Sequence, residues 1–351
     1  LMGLLVVIPD ELVVRIRVAG MVRYVDDDEQ ARLDVLRAGL LVDPRSAYLH
    51  ASIGNSLRRL ERFDEAEAAL QRALQLDPML PGIYIRLYWL SRDRNDLPTA
   101  LDWVRRATEV DPQDHELAMQ LAEVFYQLEL PEEGDRWARR VEALVPGSDF
   151  VRSLAVARAA GRREFDTVMI LASDIISAPP NDRMGIYDKA LNAYGEAALL
   201  QGRAQEAFVF FMSVDPEVAA MGELASSRSI IDLRTQAFRM MMQIAEPDAL
   251  KQAHEYFLAQ FANLGWREGE WGQMLGHFVN GEYDDAVAPA LEILSYPIAD
   301  NPDVGWLETF RMNFAPVSDD PAVAGLLLER EQEWREVREE VVAMLAEQEW
   351  Q

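Results

Sequence analysis

The residues that could support catalysis or metal binding are few and widely spaced. The chain has four histidines, His50, His115, His254 and His277, and no cysteine. His254-Glu255 begins like the helix of a zinc protease, but that motif needs a second histidine four residues after the first, and none follows. The absence of cysteine excludes disulfides, thiolate zinc sites and cysteine nucleophiles. We find neither a phosphate-binding loop nor a Gly-x-Ser-x-Gly elbow, so the sequence predicts no enzyme activity, cofactor or metal.

Three acidic runs are the remaining candidates for chemistry: residues 26–29, Asp284-Asp285 and Asp319-Asp320. A calcium loop would need alternating oxygen ligands and a turn glycine, which these runs lack. Each run lies just before a predicted helix. Carboxylates there accept hydrogen bonds from free backbone N–H groups and suit the helix dipole. We therefore interpret the acidic runs as helix caps.

The net charge of −26 limits the classes of partner. It repels phosphate backbones and anionic membrane surfaces, so we expect no nucleic acid and no membrane insertion, and we favour a basic protein or peptide. The apolar run Leu4–Pro9 is too short to span a bilayer and lacks the basic flank of a signal peptide, which predicts a cytoplasmic protein. The start at Leu1 is compatible with a fragment of a longer chain whose upstream domain or signal is missing.

A 34-residue repeat organises the sequence. Prolines recur at this spacing at Pro44, Pro78, Pro112, Pro146 and Pro180. Small or compact residues recur at fixed offsets before them: Ala66, Leu70 and Ala73, then Ala100, Val104 and Ala107, then Gly134, Ala138 and Val141. Small side chains let two helices approach closely, and the following proline ends the second helix. The pattern predicts stacked helical hairpins.

Residues 47–80 most strongly resemble the tetratricopeptide repeat. Gly54, Ala66, Ala73 and Pro78 fall on the marked positions of that family, while His50 replaces its usual Trp and Leu57 its Tyr. The resemblance implies an all-α solenoid of helix–turn–helix repeats, wound as a right-handed superhelix. It also implies a concave groove lined by the first helix of each repeat.

The repeat register divides the chain into four parts. Residues 1–11 are a leader or fragment end, and residues 12–182 form an array with repeats at about 12–46, 47–80, 81–114, 115–148 and 149–182. Residues 183–316 are divergent helical repeats, with units recovered at Gly202 to Asp215-Pro216 and from Gly281. Residues 317–351 are a capping helix beginning near Pro321, with apolar positions at Leu326, Leu327, Trp334, Val337, Val341, Val342 and Leu345.

Two stretches fit the repeat register less well. In the leading repeat, Ala31, Val35 and Ala38 match the second-helix positions if one extra residue precedes Pro44. Residues 14–18 alternate like a strand, but the repeat register favours a helix. Residues 217–265 lose the register and still have helical spacing.

The segment from Phe314 to Pro321, with Val323 and Leu326-Leu327, suggests a second resemblance. It is similar to the C-terminal end of repeat regions in bacterial winged-helix regulators and repeat-bearing adenylate cyclases. That resemblance implies an alternative function, the sensor or regulatory region of a larger bacterial protein.

The groove implied by the repeat resemblance gives the candidate binding residues. They are the predicted inward positions of three first helices: Tyr48, Asn55, Arg58, Arg86, Trp89, Arg92, Gln120, Glu123 and Tyr126. Arginines beside aromatic rings can clamp a carboxylate or stack on a ring. The carboxylate clamp of chaperone-binding members is largely absent, since only Asn55 matches and Ala51 stands where lysine is needed. We therefore predict a protein-interaction scaffold that holds a peptide or protein in its groove.

Overall fold

The computed structural model describes residues 29–177, 185–220, 227–260, 270–296 and 304–347. Within these ranges every regular element is an α-helix. The helices are α1 Glu29–Leu40, α2 Ala47–Arg59, α3 Phe63–Leu76, α4 Pro81–Asp93, α5 Leu97–Val110, α6 His115–Gln127, α7 Pro131–Leu144, α8 Asp149–Gly161, α9 Phe165–Ser177, α10 Ile186–Leu200, α11 Ala204–Ala220, α12 Ser227–Ile244, α13 Pro247–Gln260, α14 Glu270–Asn280, α15 Tyr283–Leu294, α16 Val304–Asn313, α17 Ala315–Ser318 and α18 Pro321–Glu347. The predicted all-α solenoid is confirmed.

Local sequence signals explain where these helices begin and end. The side chain of Ser46 accepts a hydrogen bond from the N–H of Leu49 at 3.3 Å, which caps the start of α2. Asp96 caps α5 in the same way, through the N–H of Thr99 at 3.1 Å. The second helices α3, α5 and α7 each end two residues before a recurring proline. A proline does not continue a helix because it lacks the N–H and restricts the residue before it.

The turn inside each hairpin also repeats every 34 residues. Its left-handed residue has a positive φ and is Glu61, Asn95, Glu129 or Arg163 in successive hairpins, with φ between 54° and 59°. Gly202 and Gly281 have the same conformation in the turns before α11 and α15, with φ of 68° and 77°. A left-handed residue strains a side chain with a Cβ and suits glycine. The later glycines therefore mark hairpin turns in the part of the chain where the proline spacing is lost.

The chain divides into two compact units, Leu1–Leu117 and Ala118–Gln351, so that α6 begins in the first unit and continues in the second. The core of the first unit is built from inward positions of α1 to α4, with Leu49, Leu70 and Ile83 fully buried. Gly54 of α2 lies directly against Leu70 of α3. A Cβ placed on Gly54 would be 2.6 Å from Cγ of Leu70. This close approach is what the small residue at position 54 makes possible.

Beyond α7, the described residues of the second unit form two hydrophobic cores. One joins α8 to α12 and the other joins α12 to α18. Helix α16 packs against α10, and Arg338 of α18 donates hydrogen bonds to the backbone oxygens of Leu128 and Glu129 at 2.9 and 3.4 Å. The last helices of this unit are therefore attached to its first ones.

In α1 the structure buries Val35, as the register with one extra residue predicts, and also Leu36 and Gly39, which lie 34 residues before Leu70 and Ala73. Two other details of the sequence interpretation are wrong. Helix α11 continues through Pro216 to Ala220, so this Asp-Pro pair does not end a helix as the earlier pairs do. Val342 of α18 is exposed, while Val341 beside it is buried.

Other predictions fall partly outside the described residues. Residues 217–220, 227–244 and 247–260 are helical, as their spacing predicts, and residues 221–226 and 261–265 lie outside the described ranges. The leader 1–11 and the ambiguous stretch 14–18 also lie outside them. The division of the chain at 182 and 316 stays a prediction.

Candidate functional site

In the first unit, six of the predicted groove residues lie on two first helices. Tyr48, Asn55 and Arg58 are on α2, and Arg86, Trp89 and Arg92 are on α4. Tyr48 is 46% exposed and Trp89 is 39% exposed, so both rings present apolar surface to solvent. Arg58 is ion-paired across the helices with Asp93, with Nη1 and Oδ2 2.6 Å apart. Its charge is therefore already balanced within the unit.

The two arginines of α4 are held mainly by their own helix. Arg86 donates from Nη1 to the backbone oxygen of Gly82 at 2.5 Å, and burial lowers the pKa of its guanidinium. Arg92 donates to the hydroxyl of Tyr88 at 2.8 Å, and its guanidinium carbon lies 5.2 Å from the centre of the Trp89 ring. A guanidinium at this distance from an indole is attracted to the ring face. Trp89 and Arg92 thus form one fixed surface on α4.

In the second unit, the predicted groove residues Gln120, Glu123 and Tyr126 lie on α6 and have different roles. Tyr126 is only 1% exposed, although its ring borders the cavity described below. Its hydroxyl donates to Oδ1 of Asp135 at 2.8 Å and accepts from Nε of Arg158 at 3.2 Å. Burial raises the pKa of Tyr126 to about 12. The prediction that Tyr126 is an open groove residue therefore needs correction, because its polar end is used internally.

A cavity of about 330 Å³ lies beside Tyr126 in the second unit. Its walls come from successive first helices, the end of α6, then α8 and α10, together with side chains of the second helix α9. The small residues that leave this space open are Ser153, Ala157, Ala160 and Gly161 on α8, and Ala190, Ala193 and Ala197 on α10. The apolar part of the lining includes Val156, Phe165, Val168, Ile175 and Leu200. Its volume is at the lower end of the range for ligand pockets.

Charged pairs stand at two edges of this cavity. At one edge, Nζ of Lys189 on α10 lies 2.7 and 2.9 Å from the two carboxylate oxygens of Glu123. At the other edge, Arg163 lies between two carboxylates. Its Nη2 is 2.7 Å from Oε2 of Glu308, and its Nη1 is 3.5 Å from Oε1 of Glu129. The cavity therefore has an apolar interior between polar edges.

A polar network joins α10 to α12 and α16. Oδ1 of Asn192, which lines the cavity, accepts from Nε2 of Gln236 at 2.6 Å. Oε1 of Gln236 accepts from Arg239 at 3.1 Å, and Arg239 also donates to Oγ1 of Thr309 at 3.3 Å. Burial lowers the pKa of Arg239, and the negative charge of Glu196 opposes that shift. These contacts fix the position of the α10 face that carries Asn192 and Glu196.

The sequence interpretation missed the α8 and α10 walls, although the repeat register contained a signal for them. Residues 34 apart occupy the same place in successive first helices, so Trp89, Glu123 and Ala157 correspond. Arg92, Tyr126 and Ala160 correspond in the same way. Both positions carry large side chains in α4 and α6, and both carry alanine in α8. Extending the register by one repeat would have predicted an open space at this point.

The histidines and acidic runs have mostly structural roles where the structure describes them. Nε2 of His50 lies 3.1 Å from the backbone oxygen of Pro44. His277 lies 2.8 Å from Glu282, and with Asp285 these residues form the one group of possible metal ligands found in the described residues, which is exposed to solvent. Asp320 accepts hydrogen bonds from the N–H groups of Ala322 and Val323, so the predicted capping role is confirmed there.

Among the helices that the structure describes, we find none with the length and apolar character needed to cross a bilayer.

Comparisons with known proteins agree with the repeat architecture. Residues 47–79 match the tetratricopeptide repeat family. A tetratricopeptide repeat protein from Parabacteroides merdae superimposes with a TM-score of 0.53 at 14% identity, over 71% of this chain and 92% of that chain. A search of curated protein sequences gives no significant match. The chain therefore contains a tetratricopeptide repeat, and its fold is that of a tetratricopeptide repeat protein.

Two further solved structures align less well. The type IV pilus biogenesis factor PilW has a TM-score of 0.44 at 14% identity, over 62% of this chain and 94% of that chain. YrrB, described as a tetratricopeptide repeat protein with an unusual peptide-binding site, has a TM-score of 0.38 at 19% identity, over 55% of this chain and 96% of that chain. These scores are too low to support an inference about this chain.

Proposed function

We propose that the chain is a non-catalytic protein-interaction module that binds a segment of a partner polypeptide on the faces of its first helices. The observation that carries this proposal is the cavity of about 330 Å³ formed by α6, α8 and α10 in the second unit. Three successive first helices contribute to it, so the repeat stacking itself creates the site. The proposal assigns no catalytic residues to the cavity.

The composition of the cavity suits a polypeptide ligand. Its interior is lined mainly by apolar side chains and small residues, which can bury part of a side chain. Its edges carry the Lys189–Glu123 and Arg163–Glu308 pairs, which can orient polar groups of a bound segment. Recognition then combines one buried anchor with polar contacts around it, as in protein interfaces generally.

The alternative function is the sensor region of a larger bacterial regulator or adenylate cyclase. This alternative was suggested by the tail segment. In the structure that segment has a packing role, because Val317, Val323 and Leu327 are fully buried in the last hydrophobic core. Such packing would end a repeat array in either kind of protein. We therefore retain the protein-interaction module as the function that the geometry supports best.

A test follows from the shape of the cavity. Ala157→Leu would extend a side chain into the space that α8 leaves open. Ala343→Leu on α18 is the matched control, since it makes the same change at an exposed helical position that does not line the cavity. The full chain is immobilised and challenged with a random dodecapeptide library, and peptides enriched by the parent are measured individually.

We expect Ala157→Leu to weaken the binding of these peptides by about tenfold or more, which corresponds to about 1.4 kcal/mol. The control is expected to bind like the parent, and both variants should keep the helical circular dichroism of the parent. Undiminished binding by a folded Ala157→Leu variant would remove the cavity from the proposal.

A further inference from the structure

We propose that the ion pair between Lys189 and Glu123 is a strap across the mouth of the cavity, which has to open before a partner side chain can enter. Such a strap gives the cavity of the proposed function a regulated entrance, and its effect on partner binding rests on that function. Access to the cavity walls, however, can be measured without any partner.

The pair joins two helices that are separated by a third. Glu123 lies on α6 and Lys189 on α10, and α8 packs against both helices. On the α6 side, Nε of Arg158 on α8 lies 3.2 Å from the hydroxyl of Tyr126, and a Cβ added to Gly161 would lie 2.6 Å from the backbone oxygen of Tyr126. An ion pair from α6 to α10 therefore has to cross α8.

The pair crosses α8 on the side of the cavity. Both of its residues line the cavity, as do Ser153 and Ala157 on the intervening face of α8. Because these side chains are short, Nζ of Lys189 can pass them and reach both carboxylate oxygens of Glu123, at 2.7 and 2.9 Å. A side chain as large as Trp89, which corresponds to Ala157 in the repeat register, would obstruct this path.

The exposure of these residues agrees with a strap that lies over the wall of the cavity. The side chain of Lys189 is 46% exposed and that of Glu123 is 20% exposed. Ser153 lines the same cavity and is only 5% exposed, so longer side chains around it shield it from solvent. The pair thus has solvent on its outer side and the α8 wall on its inner side.

The strap is closed at rest and opens easily. Exposed ion pairs have a low net stability, because both charged groups can return to water, and dissolved salt screens their attraction. Helices α6 and α10 are already connected through α8, so loss of the pair leaves the helix packing in place. Opening also frees Lys189 and Glu123 to contact polar groups of a bound segment. The pair therefore controls entry without being needed for the fold.

A single thiol on the cavity wall measures this access. The chain has no cysteine, so Ala157→Cys introduces a unique thiol in the lining of the cavity. Its rate of reaction with the uncharged reagent dithiodipyridine is followed by absorbance on the full chain, with the pair intact, with Lys189→Met and with Glu123→Gln. Ala343→Cys on the exposed surface of α18 is the control thiol, and Lys251→Met is the control for loss of an exposed lysine outside the lining.

We expect both Lys189→Met and Glu123→Gln to speed the reaction of the Ala157→Cys thiol by about two- to fivefold, the range that an exposed ion pair allows. The two substitutions change the charge near the thiol in opposite directions, so acceleration by both reflects opening and not a shift in the reactivity of the thiol. Added salt should speed the reaction when the pair is intact and have little effect without it. Lys251→Met should cause no acceleration, and the Ala343→Cys thiol should react at the same rate in all backgrounds.

Equal rates with and without the pair, or changes of opposite sign in Lys189→Met and Glu123→Gln, would refute the strap. Faster amide exchange in α8 and α10 of these variants would refute it too, because loosened helices would then expose the thiol. If Ala157→Cys does not fold, Ser153→Cys places a thiol of nearly the original shape on the same wall and gives the same test. Since none of these rates depends on a bound peptide, the strap can fail while the peptide-binding test with Ala157→Leu succeeds, and the reverse.

Discussion

Gly54 offers the sharpest test of the helix packing, because two effects of replacing it by alanine have opposite signs. Alanine in a helix is favoured over glycine by about 1 kcal/mol. A Cβ at this position, however, would lie 2.6 Å from Cγ and 2.8 Å from Cδ2 of Leu70, and 3.1 Å from the backbone oxygen of Ala66. Leu70 is fully buried, so its side chain has little room to move.

Overpacking of a well-filled core costs about 1–3 kcal/mol. We expect the cost at Gly54 to lie at the upper end of that range, because an added Cβ would meet both a backbone oxygen and a buried side chain. After subtracting the gain in helix propensity, we expect Gly54→Ala to lower the free energy of unfolding by about 2 kcal/mol.

Urea unfolding followed by circular dichroism measures this change, with Gly325→Ala as the control. Gly325 lies in α18 with nothing within 4 Å of an added Cβ, so the same substitution should raise stability by about 1 kcal/mol. If Gly54→Ala also raises stability, the close approach of α2 and α3 is refuted.

Two further predictions concern the second unit. Although burial raises the pKa of Asp135, its hydrogen bond from Tyr126 and the charges of Arg158 and Arg162 outweigh that effect and lower it. Asp135→Asn should therefore cost about 2 kcal/mol at pH 7, a deficit that shrinks as pH falls below about 4 and the parent's carboxylate is protonated; a deficit independent of pH in urea unfolding would refute this. Arg338→Met should cost about 1–2 kcal/mol and speed amide exchange in α18, whereas unchanged exchange would contradict the attachment of that helix.

The repeat spacing allowed the fold to be predicted, because it constrains backbone and packing together. The recurring prolines lie just beyond the ends of α3, α5 and α7, and the small residues between them are the buried contacts of each hairpin. Pro216 does not mark a helix end, since α11 continues past it to Ala220. The spacing of prolines alone therefore does not determine where a helix ends.

The candidate site was harder to predict, because repeat position determines where a side chain starts but not how its neighbours fill the space. Tyr126 corresponds to Arg92 in the register, yet its ring turns inward against Gly134 of α7. Glycine at 134 replaces the alanines found at 66 and 100, and this loss of a methyl group was a usable signal. The charged pairs Lys189–Glu123 and Arg163–Glu308 join residues 66 and 145 positions apart, which no local pattern encodes.

Hydrogen–deuterium exchange on the full chain, with and without a dodecapeptide selected from the library, locates the bound partner. We expect slower exchange on binding in residues 153–161 of α8 and 189–200 of α10, the two walls of the cavity, and no such protection in the Ala157→Leu variant. Protection that appears only in helices outside the cavity, or equally in Ala157→Leu, would contradict the claim that these first helices hold the partner.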